Sequence, residues 1–162
     1  MGKFYADCAE ALINHLQFWT WLNTPPTDKK KDITKGLTRL QKKRDELGDE
    51  LHEPDMPGIE GFEHVLEHLW DCGPALGGSM GAGPLTHLEI AAWQANTGIE
   101  IGPWEARMLR RLSIEYLDWS RKAADPDCPS PLTPPELTAE ERVSVSSRVQ
   151  NAFRALMGGD SK

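Results

Sequence analysis

Apolar residues return every three or four positions along most of this chain, and the stripes they draw predict helices. From residue 4 to 22, Phe4, Cys8, Leu12, His15 and Trp19 line one face, widened by Ile13, Leu16 and Leu22. Thr24-Pro25-Pro26 ends that helix, because proline has no N–H to donate and clashes with the preceding turn. A second helix is predicted over 28–52, where Ile33, Leu37, Leu40, Leu47 and Leu51 form a thin seam that Arg44 interrupts. A loop follows at 53–58. A third helix over 60–71 carries Phe62, Val65, Leu66, Leu69 and Trp70 on its apolar face and stops at Gly73-Pro74.

The second half of the chain adds end signals to the periodicity. Thr86-His87-Leu88-Glu89 has the capping-box pattern and opens a fourth helix to about Asn96. Gly98 supplies the left-handed stop. Ile99-Glu100-Ile101 is a short link, and Gly102-Pro103 starts a fifth helix with proline at its first position, where no donor is needed. That helix runs to about Ala123 on a stripe of Trp104, Met108, Leu112, Tyr116 and Trp119. The pair predicts a helical hairpin or helix-turn-helix-like corner. The glycine-rich stretch 77–84 reads as a flexible loop, and the prolines of 125–136 as a stiff, extended linker. Thr138-Ala139-Glu140-Glu141 opens a last helix to Met157. The expectation is an all-α protein of about six helices. It divides into an N-terminal helical region at 1–58, a helical-hairpin core at 59–124, and a Pro-rich linker with a C-terminal helix at 125–162.

Charge changes this picture by being uneven. The net charge of -7 hides eight Lys and Arg between Asp28 and Arg44, and not one between Asp45 and Ala106. A short basic arm beside a long acidic body suits a homo-oligomer's self-complementary surface or one that steers a partner. So acidic a chain makes a poor general binder of nucleic acid. The order of charge within 28–52, bases first and acids last, opposes the helix macrodipole, so packing or a partner is needed to hold that segment. At 39%, hydrophobic residues suffice for a modest core. Cys8, Cys72 and Cys128 are odd in number and far apart, which fits a reducing compartment. No signal peptide or membrane span is visible, so a soluble, cytoplasmic protein is expected, with no membrane partner.

Few motifs carry chemistry. His64-Val65-Leu66-Glu67-His68 matches the inverted zinc-protease pattern, with Cys72 as the third donor it would need. Five residues in a His- and Glu-rich helix match easily by accident, and Leu66 and Trp70 give the segment an ordinary packing role, so no metal or catalytic residue is assigned. The glycine-rich loop lacks the ending and the preceding strand of a phosphate-binding fingerprint, so no cofactor is expected. Arg107, Arg110, Arg111 and Arg121 on the fifth helix raise a DNA-reading alternative, which the acidic helix before it fits poorly. Six tryptophans remain, each suited to a core or to a binding hot spot.

The stretch from Leu69 to Leu117 resembles the tail assembly chaperones of long-tailed phages and prophages. The likeness rests on Leu69-Trp70-Asp71-Cys72-Gly73-Pro74, the glycine-rich turn, Pro84-Leu85, Glu89-Ile90, Ala92-Trp93, Thr97-Gly98, Pro103-Trp104-Glu105, and Leu112-Ser113 with Tyr116-Leu117. An arginine common near the glycine-rich turn of those proteins has no counterpart here, and residues before 60 and after 124 lie outside the likeness. The resemblance implies a non-enzymatic protein of the host cell cytoplasm. It would coat the long, aggregation-prone tape measure protein, recruit tail tube protein, and be absent from the mature virion. A structural tail or head-completion component and a small helix-turn-helix regulator are the alternatives. The corner of Leu85, Ile90, Trp93, Ile99, Pro103 and Trp104 is then either a structural nucleus or a docking surface. The nucleus is the stronger reading, with docking on adjacent faces. Leu37 and Leu40, on the seam of the second helix, are further partner-facing candidates.

Overall fold

The computed structural model describes residues 2–27, 36–47, 56–78 and 81–132, and every regular element among them is an α-helix. These are α1 (Gly2–Asn23), α2 (Arg39–Leu47), α3 (Glu63–Cys72), α4 (His87–Thr97) and α5 (Pro103–Ala123). The all-helical class expected from periodicity is therefore observed. The helix expected over 138–157 lies outside the described residues.

The axis of the fold is α5, which packs against α1, α3 and α4. Leu109, Leu112, Met108 and Leu117 put its apolar stripe into the core. Against them stand Val65, Leu66 and Leu69 of α3, Ile90 and Trp93 of α4, and Leu12, Ile13 and Leu16 of α1. Each fully buried leucine contributes about 2 kcal/mol of transfer free energy. The core therefore joins residues on both sides of position 58. On α1 the buried line is Leu12, Ile13 and Leu16, with Phe18 and Leu22 also buried. Phe4, expected on the apolar stripe, is instead exposed. The C-terminal half of α1 is covered on a second side, where α2 packs against it.

Residues 125–132, expected as an extended linker, add to that cover. They form turns instead: the Asp125 amide donates to Lys122 O (3.0 Å) and the Cys128 amide to Asp125 O (3.1 Å). The Trp21 indole N–H then donates to the Cys128 carbonyl at 3.0 Å. Thr27 N–H reaches Ala124 O at 2.8 Å. At the other end, the rings of Tyr5 and Trp104 lie 5.3 Å apart. Between the two, Gln17 donates to Glu115 at 2.9 Å. Start meets start and end meets end, so α1 and α5 run parallel.

The continuous helix expected over 28–52 does not form. Gly36, Leu37 and Thr38 are non-helical, and α2 begins at Arg39. The cause is a reciprocal cap. The Gln41 amide donates to Thr38 Oγ1 (3.1 Å), and the Thr38 amide donates to Gln41 Oε1 (2.9 Å). The pattern S/T-x-x-E/Q satisfies two donors at a helix start and outweighs a sparse apolar seam. Residues 28–35 and 48–55, with Ile33 and Leu51, lie outside the described residues.

The ends of α4 and α5 form as expected. Thr86 caps α4, its hydroxyl accepting from the Glu89 amide and donating to the Glu89 carboxylate. Gly98 closes α4 in the left-handed region at φ 72°. Pro103 sits in the first turn of α5. The glycine-rich loop is pinned at its base, where Leu76 and Gly83 exchange backbone hydrogen bonds of 2.8 and 2.9 Å. Ser113, fully buried in mid-α5, donates to Pro74 O and accepts from Leu85 N–H, both at 2.8 Å. One hydroxyl thus holds both ends of the loop against the central helix. Ser79 and Met80 lie outside the described residues.

Candidate docking surface

Three helices begin at one end of the molecule, and each brings an aromatic ring there. Phe4 and Tyr5 lie in the first turns of α1, Phe62 stands at the start of α3, and Trp104 is the second residue of α5. Their rings close a circuit. Phe4 to Tyr5 is 5.7 Å, Tyr5 to Trp104 5.3 Å, Trp104 to Phe62 6.0 Å, and Phe62 to Phe4 6.0 Å between centroids. Phe4 is 60% exposed and Tyr5 43%. Exposed aromatics that touch one another mark protein-binding surfaces far better than scattered ones.

Local chemistry is spent on this surface. Phe62 is the N-cap residue of α3 and offers no side-chain cap. A Ser, Thr, Asp or Asn there would be worth about 1 kcal/mol. Gly61, at φ 84°, makes the turn that delivers the ring. The half-buried ring packs against the core cluster on one side and against Phe4 and Trp104 on the other, which offsets the missing cap.

A groove adjoins the ring cluster and shares Trp104 with it. Ala9 of α1 and Trp104, Arg107, Met108 and Arg111 of α5 line it, and its volume is about 140 Å³. The floor is apolar and the rim cationic. Arg107, Arg110 and Arg111 are all exposed. The ion pairs among the described residues are His68 with Glu105 and Lys122 with Asp118, so none of the three arginines faces a carboxylate at ion-pair distance. Ile114, one turn on, is also exposed.

The eight expected partner-facing residues divide. Leu85, Ile90 and Trp93 are buried, at 1%, 1% and 8% exposure, and belong to the core. The Trp93 indole N–H is also committed, donating to Asp71 at 2.7 Å. Ile99 and Trp104 are half-buried, and Pro103 is exposed. Leu37 is exposed and Leu40 half-buried. Those two flank Arg39, which bonds Ala123 at the far end of α5. That end is about 28 Å from Trp104 at 1.5 Å rise per residue. The structure therefore does not bring Leu37 and Leu40 together with Trp104. Phe4 and Tyr5, which sequence reasoning missed as surface residues, join it instead, with half-buried Phe62 beside them.

The His64–His68 segment uses its imidazole differently from a metal site. His68 Nδ1–H donates to Glu105 at 2.7 Å and tethers α3 to α5, while its ring lies tilted against Trp93, 5.1 Å between centroids. Among the described residues, no three His, Cys, Asp or Glu side chains converge in a way that would hold a metal ion. The third donor that zinc chemistry needs is not supplied by Cys72. Burial pushes the Cys72 thiol up, reinforced by the charges of Asp71 and Glu89, the reverse of what an activated cysteine requires.

A second apolar surface lies on α4. Its inward face holds Ile90 and Trp93, yet Leu88, Ala91, Ala92 and Ala95 on the outward face are exposed. None of the helices among the described residues is long and apolar enough to cross a membrane. Comparison with protein-family models, with curated proteins and with solved structures gives no match.

Proposed function

We propose that this chain is a tail assembly chaperone of a long-tailed phage or prophage. On this reading it is non-enzymatic and works in the host cytoplasm. It binds the tape measure protein along that protein's helices, helps bring in tail tube protein, and leaves before the virion is complete. The observation that carries the reading is the aromatic circuit at the common start of α1, α3 and α5, in which exposed Phe4 and Tyr5 rest on half-buried Phe62 and Trp104. A chaperone of helical chains needs a standing apolar surface for its client and enough net charge to remain dispersed while presenting it. The net charge of -7 meets the second need. The likeness of residues 69–117 to that family supports the particular client. Trp93 and Leu85 of that segment lie in the core, and half-buried Trp104 stands at its edge beside exposed Tyr5.

Co-expression tests it. A phage tape measure protein is expressed with and without the chain. The expected result is a soluble complex that co-purifies with wild-type chain and is lost with Phe4→Asp/Tyr5→Asp, while helicity stays unchanged. An unaffected, insoluble client in both cultures would sink the proposal. So would recovery of the chain at stoichiometric amounts in purified virions, which favours a structural component of the particle.

A further inference from the structure

We infer that the outward face of α5 around Arg107, Arg110 and Arg111, with the Trp104 groove beside it, docks an acidic amphipathic helix of a partner protein. This rests on reading the molecule as a binder of helices and adds the chemistry of what it selects.

The first argument is charge. The chain carries 25 acids and 18 bases, yet three exposed guanidiniums stand within five residues of α5. No carboxylate among the described residues answers them. Their spacing is that of a helix face: 107 with 110 and 111 lies one turn apart, and Ile114 continues the row beyond 110 and 111. A partner helix with acids at the same spacing would match arginine's planar donor fork, which suits carboxylates. The starts of α1, α3 and α5 meet at the adjoining aromatic circuit, so the positive ends of three helix macrodipoles add to the same preference. Glu63 and Glu105 answer part of that field, and Glu105 is engaged by His68.

The second argument is shape. The groove between Ala9, Trp104 and Met108 holds about 140 Å³. Apolar cavities near 150 Å³ accept a benzene-sized group. One leucine or phenylalanine from a partner ridge would fill it, with the arginines at the rim to meet flanking carboxylates.

Among the described residues, neither α3 nor α4 of a second copy supplies such a helix. The outward residues of α3 supply acids, Glu63, Glu67 and Asp71, but no exposed apolar residue between them. The outward face of α4 supplies Leu88 and alanines, but its one acid, Glu89, is held by Thr86. Acid and ridge do not occur together on either helix. Nucleic acid would use the arginines but leave the apolar floor unfilled.

The test uses the full chain and two synthetic helical peptides. They share one Leu/Ala ridge and differ only in flanks, Glu in one and Lys in the other. Binding is read by fluorescence anisotropy at physiological ionic strength. The Glu-flanked peptide is expected to bind at least about tenfold tighter, a preference that weakens with added salt. Arg107→Glu/Arg111→Glu, both on exposed positions, reverses it while circular dichroism stays unchanged. Equal affinity for the two peptides overturns the inference and leaves helix binding standing. Binding of neither overturns both. Charge reversal without effect also overturns the inference, as does displacement of the peptide by duplex DNA or by self-association of the chain in sedimentation.

Discussion

The guanidinium of Arg39 lies over the indole of Trp21, 4.9 Å from the ring centroid, and donates to the carbonyl of that same residue at 3.1 Å. The same side chain also donates to Ala123 O and Asp125 O, each at 2.8 Å. Because α1 and α5 run parallel, their negative C-terminal ends coincide, and one cation answers both. A hydrogen bond from a charged donor contributes about 1.5–3 kcal/mol; two of these bonds are part-buried and one is exposed, and all share one guanidinium, so they do not add. Arg39→Ala is expected to cost about 2–3 kcal/mol, and Arg39→Lys about half that, since an ammonium cannot reproduce the planar fork. Urea midpoints at constant slope measure this. A loss below a few tenths of a kcal/mol for Arg39→Ala would mean that water replaces the contact.

Ser113 holds the two ends of the glycine-rich loop, and its removal is predicted to be disproportionate to its size. Ser113→Ala leaves Leu85 N–H and Pro74 C=O without their partner. Leaving a buried polar group unpaired costs about 1–3 kcal/mol, so the pair is expected to lose about 2–4 kcal/mol. Hydrogen exchange gives the specific readout. The Leu85 amide should exchange much faster in the variant than amides of α1, which the change does not touch. Uniform acceleration across the core would instead mean that Ser113 acts only through global stability.

Thr20 offers the opposite case. It is 1% exposed on α1, and its hydroxyl has no hydrogen-bond partner among the described residues. Valine has nearly the same shape and helix propensity but no polar atom to desolvate. Thr20→Val is therefore expected to raise stability by up to about 1 kcal/mol. Thermal unfolding would show this as a higher midpoint. A drop would reveal a bond to that hydroxyl.

What could be read from the chain alone follows from the range of each interaction. The bounds of α4 and α5 were legible because Thr86, Gly98 and Pro103 act on backbone within a few residues of themselves. The start of α2 is equally local, in Thr38 and Gln41, a cap that the thin apolar seam of 28–52 hides. The second cover on α1 was not legible. It depends on Trp21 meeting Cys128 and Arg39 meeting Ala123, pairs joined by no periodicity. The same holds for the candidate surface. Trp93 and Trp104 look alike in sequence, yet one is fixed to Asp71 inside the core and the other lies between Tyr5 and Phe62 at its edge. Phe4 fell on the expected apolar stripe of α1, and nothing in the spacing could show that α5 ends its cover before reaching it.

Cys72 yields a prediction in pH. Its thiol is raised first by burial, then by the negative charges of Asp71 and Glu89, all of which disfavour the thiolate. In the unfolded chain the thiol ionises at its ordinary value of about 8.5. Between that value and the higher folded one, the unfolded state has lost a proton that the folded state keeps. The stabilisation is therefore whole below about pH 8.5 and falls as pH rises through the window above it, by at most about 1.4 kcal/mol per pH unit for one proton. Cys72→Ala removes this contribution. The difference in unfolding free energy between wild type and Cys72→Ala should be flat up to about pH 8.5 and shift toward the variant above it. Alkylation by iodoacetamide gives a second measurement, in which the rate at Cys72, followed by peptide mass mapping, should remain low through the range where an unperturbed thiol reacts. Rapid labelling of Cys72 at neutral pH, with the fold intact, would contradict the raised thiol.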